Sequence, residues 1–118
     1  MQSWRLTEID APDGTRDPVV LDTADGARAV MLAIAPGQEL REHEVKERMW
    51  LTVVEGHARI ECGAQSVDAG PGTLISFEPS ERHSVASDGG ARILLFLAPW
   101  PGEGHYRGEQ RTATGGAA

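Results

Sequence analysis

The sequence predicts an all-β protein, a sandwich or barrel built from short strands. Runs rich in Val, Ile, Leu, Phe and Thr alternate with turns that contain glycine or proline along most of the chain, and this spacing is typical of all-β domains. No stretch of ten or more residues combines helical spacing of apolar residues with capping residues. Since 118 residues suffice for one hydrophobic core but not two, we expect a single domain.

Nine strands are predicted from the apolar runs and the turns between them. They are Trp4 to Ile9, Val19 to Thr23, Arg28 to Ala35, Val45 to Val54, His57 to Cys62, Gln65 to Asp68, Thr73 to Phe77, His83 to Ala86 and Arg92 to Ala98. Pro36-Gly37, Gly70-Pro71-Gly72 and Asp88-Gly89-Gly90 favour chain reversals. Gly63-Ala64 favours a tight hairpin.

The charge balance argues against two classes of partner. Eleven basic and 18 acidic side chains give a net charge of −7, so the basic surface that binds nucleic acid or an anionic membrane is missing. The polar residues Met1 to Arg5 do not resemble a signal peptide, and no apolar run is long enough to span a bilayer. We therefore expect a soluble, cytoplasmic protein. Cys62 is the only cysteine, which excludes an internal disulfide, and we interpret it as a small half-buried side chain.

The composition changes after Ala98. Trp100 and Tyr106 are the last aromatic residues, and we expect this segment to pack against the barrel or another subunit. Residues 108–118 offer almost no apolar area to offset the entropy lost on ordering. The predicted organisation is one barrel domain over residues 1–107 and a disordered tail over residues 108–118.

Strand parity places His43 on an otherwise apolar face. Side chains alternate between the two faces of a strand, so a continuous strand would put one set together: His43, Val45, Glu47, Met49, Leu51 and Val53. Because most of this set is apolar, it should face the core. A buried imidazole has to hydrogen-bond, bind a metal or face a cavity, and the same holds for His83 at the start of its strand.

Glycine and histidine recur around this run at a recognisable spacing. Gly37, His43 and Gly56 match a pattern of Gly, five residues, His, one residue, His, three or four residues, Glu, six residues, Gly. This pattern resembles the first motif of the cupin superfamily. The position of its second histidine is occupied by Val45, and that of its glutamate by Met49.

A second stretch resembles the other cupin motif, which runs Gly, five residues, Pro, one residue, Gly, two residues, His. Gly72 and His83 occupy its two ends. Glu78 and Ser80 stand in place of its proline and glycine, and Pro79 lies one position later. The resemblance implies a double-stranded β-helix barrel, the cupin or jelly-roll fold.

The resemblance also implies a metal site, and here the chain departs from the family. Cupins use three His and one Glu to hold Fe, Mn, Ni or Zn. Val45 has no donor atom, and Met49 offers only a thioether, which suits these ions poorly. We therefore expect either no cofactor or one divalent transition metal (Fe, Mn, Ni or Zn) held weakly by His43 and His83, with Glu47 as a substitute third ligand.

Three functions follow as hypotheses. The first is a small cupin that binds a small molecule in its barrel pocket, with metal absent or weakly bound. Its ligand-binding residues are His43, Val45, Met49, Leu51, Phe77 and His83. The alternative is a metal-dependent enzyme of the dioxygenase or isomerase type that acts on a small metabolite through His43 and His83. The third makes the barrel an assembly unit that forms a homodimer, which is compatible with the other two.

Overall fold

The structure is a computed structural model that describes residues 1–11 and 18–99, apart from the side chains of Glu42 and His43. Within these residues it contains one 3-10 helix, Leu6–Glu8, and nine strands. The strands are β1 (Val19–Ala24), β2 (Ala27–Ile34), β3 (Gln38–His43), β4 (Arg48–Gly56), β5 (Ala58–Cys62), β6 (Gln65–Ala69), β7 (Leu74–Phe77), β8 (His83–Ser87) and β9 (Ala91–Ala98).

The strands form two antiparallel sheets. The order is β1-β2-β9-β4-β7 in the five-stranded sheet and β3-β8-β5-β6 in the four-stranded sheet. Strands that are neighbours in a sheet are mostly distant in sequence, so the chain crosses repeatedly between the sheets. This arrangement confirms the predicted double-stranded β-helix. No helix among the described residues is long and apolar enough to cross a membrane.

The predicted strands are confirmed except at three places. Trp4 to Ile9 was predicted as a strand, but it contains the 3-10 helix, closed by a hydrogen bond from the Glu8 amide to the Arg5 carbonyl at 2.9 Å. Strand β3 was missed because its sequence is mostly polar and charged. Strand β4 begins at Arg48 rather than Val45, since the chain bends just before it. The predictions for residues 100–118 lie outside the described part of the chain.

The core lies between the inner faces of the two sheets. In β4, Met49, Leu51 and Val53 are buried, whereas the intervening Trp50 and Thr52 are half-buried on the other face. The β4–β9 ladder pairs each inner residue with an apolar one, and the inner faces of β5 and β8 complete the same cluster. Burial of this alternating set is the main source of stability.

Leu51 and Leu74 provide a matched test of which face of the sheet is the core. Leu51 is 1% exposed, whereas Leu74 is 64% exposed. We expect Leu51→Ala to lower the free energy of unfolding by about 2–5 kcal/mol and Leu74→Ala by less than about 0.5 kcal/mol. Urea denaturation of both variants measures the difference. Similar losses in the two variants would contradict the assignment of the inner face.

Gly56, the last glycine of the first motif, occupies a position that excludes a side chain. Its φ is +80°, and a Cβ atom there would lie 2.2 Å from the carbonyl oxygen of Gly90. Gly63, with a φ of +61°, has no heavy atom within 4 Å of the same position. We therefore expect Gly56→Ala to lower the melting temperature clearly more than Gly63→Ala, which carries backbone strain alone. Equal losses would show that the contact with Gly90 relaxes freely.

Candidate functional site

His83 is the best-defined polar residue of the interior. It begins β8, is 1% exposed, and its ring stacks on that of Phe77 with 4.1 Å between the centroids and 22° between the planes. Its Nδ1 lies 3.1 Å from the carbonyl oxygen of Glu81. Because a carbonyl can only accept, Nδ1 must carry a proton in this contact. In the neutral ring, the lone pair is therefore on Nε2.

The backbone brings the two predicted histidines onto neighbouring strands. His43 ends β3 and pairs directly with His83 in the β3–β8 ladder. The ladder shifts register between Leu40 and His43, and such irregularities change the direction of the side chains beside them. The side chain of His43 lies outside the description, so only its position in the ladder is established.

The four predicted apolar lining residues all lie in the core. Val45, Met49, Leu51 and Phe77 are between 1% and 7% exposed, and Met49 pairs with Phe77 in the β4–β7 ladder. Since Phe77 also stacks on His83, the ring of this histidine lies against an apolar surface. The structure thus places His83 against one of the predicted lining residues, Phe77, which in turn pairs with Met49.

Glu47 is buried although it lies in a highly charged stretch. It is 1% exposed, and Val45 is also buried, whereas Glu44 and Lys46 are exposed. Alternate burial therefore begins before β4, in a segment that is not a regular strand. Glu47, named above as a substitute metal ligand, is therefore buried, in agreement with its place in the core-facing set.

The loop between β7 and β8 lies directly before His83 in the chain. The loop, residues 78–82, contacts the segment of residues 44–48 through a backbone hydrogen bond of 2.7 Å from the Ser80 amide to the Val45 carbonyl. Ser80 has a φ of +65°, which is strained for a residue other than glycine. Two exposed ion pairs accompany this bond: Arg48 with Glu78 at 2.8 Å and Arg82 with Glu44 at 3.7 Å. Exposed pairs contribute little, so the backbone bond is the firmer link.

Glu81 occupies the centre of this loop and was missed by the sequence analysis. Its Oε1 accepts a hydrogen bond from the Glu78 amide at 2.9 Å, and its Oε2 accepts one from the Cys62 thiol at 3.1 Å. These two donors, the Glu78 amide first and the Cys62 thiol second, lower the pKa of Glu81 below its usual value. No sequence pattern links Cys62 to a residue 19 positions away.

The four-donor metal set of the motif does not fit this chain. Two of its positions are Val45 and Met49, both packed in the apolar core. Among residues 1–11 and 18–99, with the side chain of His43 excluded, no three His, Cys, Asp or Glu side chains form a group that could hold a metal ion. Of the predicted ligands, His43, Glu47 and His83 are the ones that carry donor atoms suited to such an ion.

A shallow depression lies at the far end of β4, away from the histidines. Its volume is about 250 Å³, and its lining includes Ile34, Glu55, Gly56 and Arg92. None of the predicted ligand-binding residues contributes to it. It is therefore separate from the candidate site.

A family model matches the sequence of this chain, and solved structures match its fold. The family model described as "Cupin domain" matches residues 30–98, more than half of the chain. No curated protein matches it. An RmlC-like cupin protein from Desulfovibrio desulfuricans superposes with a TM-score of 0.72 at 23% identity, covering 84% of this chain and 97% of that one.

Two further solved structures show the same fold at lower identity. A cupin superfamily protein from Desulfitobacterium hafniense gives a TM-score of 0.70 at 19% identity, covering 79% of this chain and 85% of that one. The Cnp3 cupin domain of Schizosaccharomyces pombe gives 0.71 at 12% identity, covering 82% and 73%. At such identities the likeness concerns the fold, and it assigns no activity.

The lowered pKa of Glu81 predicts a pH-dependent stability. A carboxylate whose pKa is depressed by folding stabilises the protein above its ordinary pKa of 4.5, and this contribution disappears as the pH falls through the lowered value. The difference in free energy of unfolding between wild type and Glu81→Gln should therefore be larger at pH 7 than at pH 3. Urea denaturation across this range measures it, with the exposed Glu39→Gln as control. The same pH dependence in both variants would contradict the role of the two donors.

Proposed function

Because this chain belongs to the cupin domain family, we propose that it binds a small molecule inside its barrel, with His43 and His83 as polar anchors. The observation that carries the proposal is the environment of His83, a 1% exposed imidazole stacked on Phe77. A polar ring set against an apolar aromatic surface is the combination by which binding pockets fix the orientation of a small ligand.

The apolar surroundings support a ligand of mixed polarity. Binding pockets are mostly lined by apolar and aromatic side chains, with a few polar groups that fix the orientation of the ligand. Val45, Met49, Leu51 and Phe77 supply the first kind of surface, and the histidines supply the second. The binding energy would come chiefly from apolar contact, and His83 would select a ligand with a complementary polar group.

The proposal assigns no tight metal site. Two protein nitrogens are fewer than the three protein ligands typical of a catalytic zinc site, and Met49 is a poor donor for Fe, Mn, Ni or Zn. A metal-free pocket is the arrangement that the side chains at the motif positions favour. The predicted homodimer remains a prediction, because the description covers a single chain.

One observation favours the alternative, a metal-dependent enzyme that acts on a small metabolite. Glu47 is buried close in sequence to the replaced ligand positions, and carboxylates are good ligands for divalent ions. In this alternative, His43, Glu47 and His83 would hold one divalent metal, which would act as a Lewis acid. One of the histidines could equally serve as general acid or base without a metal.

Ligand binding is tested by thermal melting with a library of small uncharged and weakly polar metabolites. A ligand present at 100 times its dissociation constant stabilises the folded state by about 2.7 kcal/mol, so hits should raise the melting temperature. The increase should disappear in Met49→Phe, which fills the interior, and in His83→Ala. It should persist in Leu74→Phe, on the outer face. An increase that Met49→Phe leaves intact would place the ligand outside the barrel.

Metal content separates the two candidate functions. Protein purified without chelators should contain clearly less than one Fe, Mn, Ni or Zn per chain by elemental analysis. Adding each ion should leave the melting temperature unchanged. Stoichiometric metal that is lost in His43→Ala, in His83→Ala and in Glu47→Gln would overturn the metal-free pocket and support the enzyme.

A further inference from the structure

Glu81 contacts both the thiol of Cys62 on β5 and the buried ring of His83 on β8, which is the neighbour of β5 in the sheet. Its carboxylate accepts hydrogen bonds from the Glu78 amide and the Cys62 thiol, and its backbone carbonyl faces Nδ1 of His83 at 3.1 Å. We propose that Glu81 is the positioning residue of the pocket: it fixes the protonated nitrogen of His83, and the Cys62 thiol holds Glu81 in place. This inference rests on the proposed binding function. It names Glu81 as the residue that orients His83, the polar side chain of the proposed pocket.

The two oxygens of the Glu81 carboxylate accept hydrogen bonds from different parts of the chain. Oε1 closes the loop by accepting from the Glu78 amide, three residues earlier in the chain. Oε2 reaches across to β5 and accepts from Cys62. With both oxygens engaged, the side chain and the backbone of residue 81 are held between the loop and the sheet. Together with the backbone hydrogen bond from the Glu81 amide to the Glu78 carbonyl at 3.1 Å, these contacts fix the direction of the Glu81 carbonyl.

The backbone directly before Glu81 is strained and therefore depends on the contacts that hold the loop. Ser80, immediately before Glu81, adopts a φ of +65°, a conformation that persists only where the surroundings support it. Its amide bonds to Val45, so the loop is held on one side by the segment before β4 and on the other by Cys62. Loss of either support should let the loop relax and move the carbonyl away from His83.

Stacking on Phe77 cannot replace this contact. An aromatic face restricts the plane of the imidazole, but it contains no acceptor that distinguishes Nδ1 from Nε2. A carbonyl opposite Nδ1 does distinguish them, because only the protonated nitrogen can donate to it. The tautomer of His83 therefore reports on Glu81 separately from the packing of the ring.

Covalent modification of Cys62, which is half-buried, should remove its hydrogen bond to Glu81. A free thiol donates its hydrogen to Oε2 of Glu81, and a capped sulfur has no hydrogen to donate. With iodoacetamide as the probe, the sulfur attacks the methylene carbon, an S–C bond forms, iodide leaves and the thiol proton passes to the buffer. Capping should therefore release one side of Glu81 and alter the ring of His83.

The experiment reads the ring nitrogens of His83 in the full chain by long-range ¹H–¹⁵N NMR. In the wild type at neutral pH, the tautomer protonated at Nδ1 should dominate. Its share should fall in Glu81→Gln, because a carboxamide has an oxygen at only one of the two positions that accept hydrogen bonds in the wild type and an NH₂ group at the other. It should also fall in Cys62→Ala and after treatment with iodoacetamide, and it should be restored in Cys62→Ser, which retains a hydroxyl donor.

Glu78→Gln is the matched control. It alters a carboxylate of the same loop that pairs with Arg48, and it keeps the backbone amide that bonds to Glu81. Its His83 spectrum should match the wild type. Unchanged His83 signals in Glu81→Gln and in the alkylated wild type would overturn the inference. Equal shifts in Glu78→Gln would overturn it as well, because any change in the loop would then suffice.

Alkylation kinetics provide a second, independent measurement. The carboxylate of Glu81 disfavours the negative thiolate that reacts with iodoacetamide, so Cys62 should be alkylated several-fold faster in Glu81→Gln than in the wild type or Glu78→Gln. Equal rates in all three proteins would contradict the contact between Cys62 and Glu81. Neither measurement requires a ligand, so the positioning role and the binding function can fail separately.

Discussion

The alternation of buried and exposed side chains along β4 is the constraint on which the rest of the structure depends. This strand lies between β9 and β7, and its buried residues Met49, Leu51 and Val53 contribute to the centre of the core. A shift of one residue would exchange the two faces of the strand. It would expose these three side chains and bury Trp50 and Thr52. The same register fixes Met49 opposite Phe77 and so determines which surface His83 contacts.

The sequence predicted the parts of the fold that follow from this alternation and missed the parts that depend on distant contacts. Apart from β4, which begins three residues and ends two residues later than predicted, strands with apolar periodicity were found to within one residue at each end, because their pattern is local. Strand β3 was missed because Gln38–His43 is polar and lies at the edge of its sheet, where burial does not impose an apolar pattern. The 3-10 helix at Leu6–Glu8 was mistaken for a strand because a short run with several apolar residues does not distinguish the two.

The features of the candidate site fall into the same two groups: some follow from the local sequence pattern, and others depend on contacts between distant residues. The location of His83 among apolar side chains could be inferred from motif spacing and strand parity. The contacts of Glu81 could not, since they join residues from the loop to a strand 19 positions earlier and depend on a left-handed conformation at Ser80. The burial of Glu47 agrees with the parity that placed it on the core-facing side of a continuous strand, although the chain bends there and no ladder imposes the alternation.

The cost of burying His83 and Glu47 can be compared with that of burying the apolar residues Val45 and Met49. Val45 and Met49 show that positions occupied by metal ligands in the cupin motif accept apolar side chains within an intact barrel. The fold itself therefore does not require donors at this end of the core. An ionisable side chain buried there costs free energy that an apolar side chain of similar size would not, yet His83 and Glu47 are both 1% exposed. Local departures from the rules of folding tend to mark functional positions, so these two residues are where a ligand should be sought first.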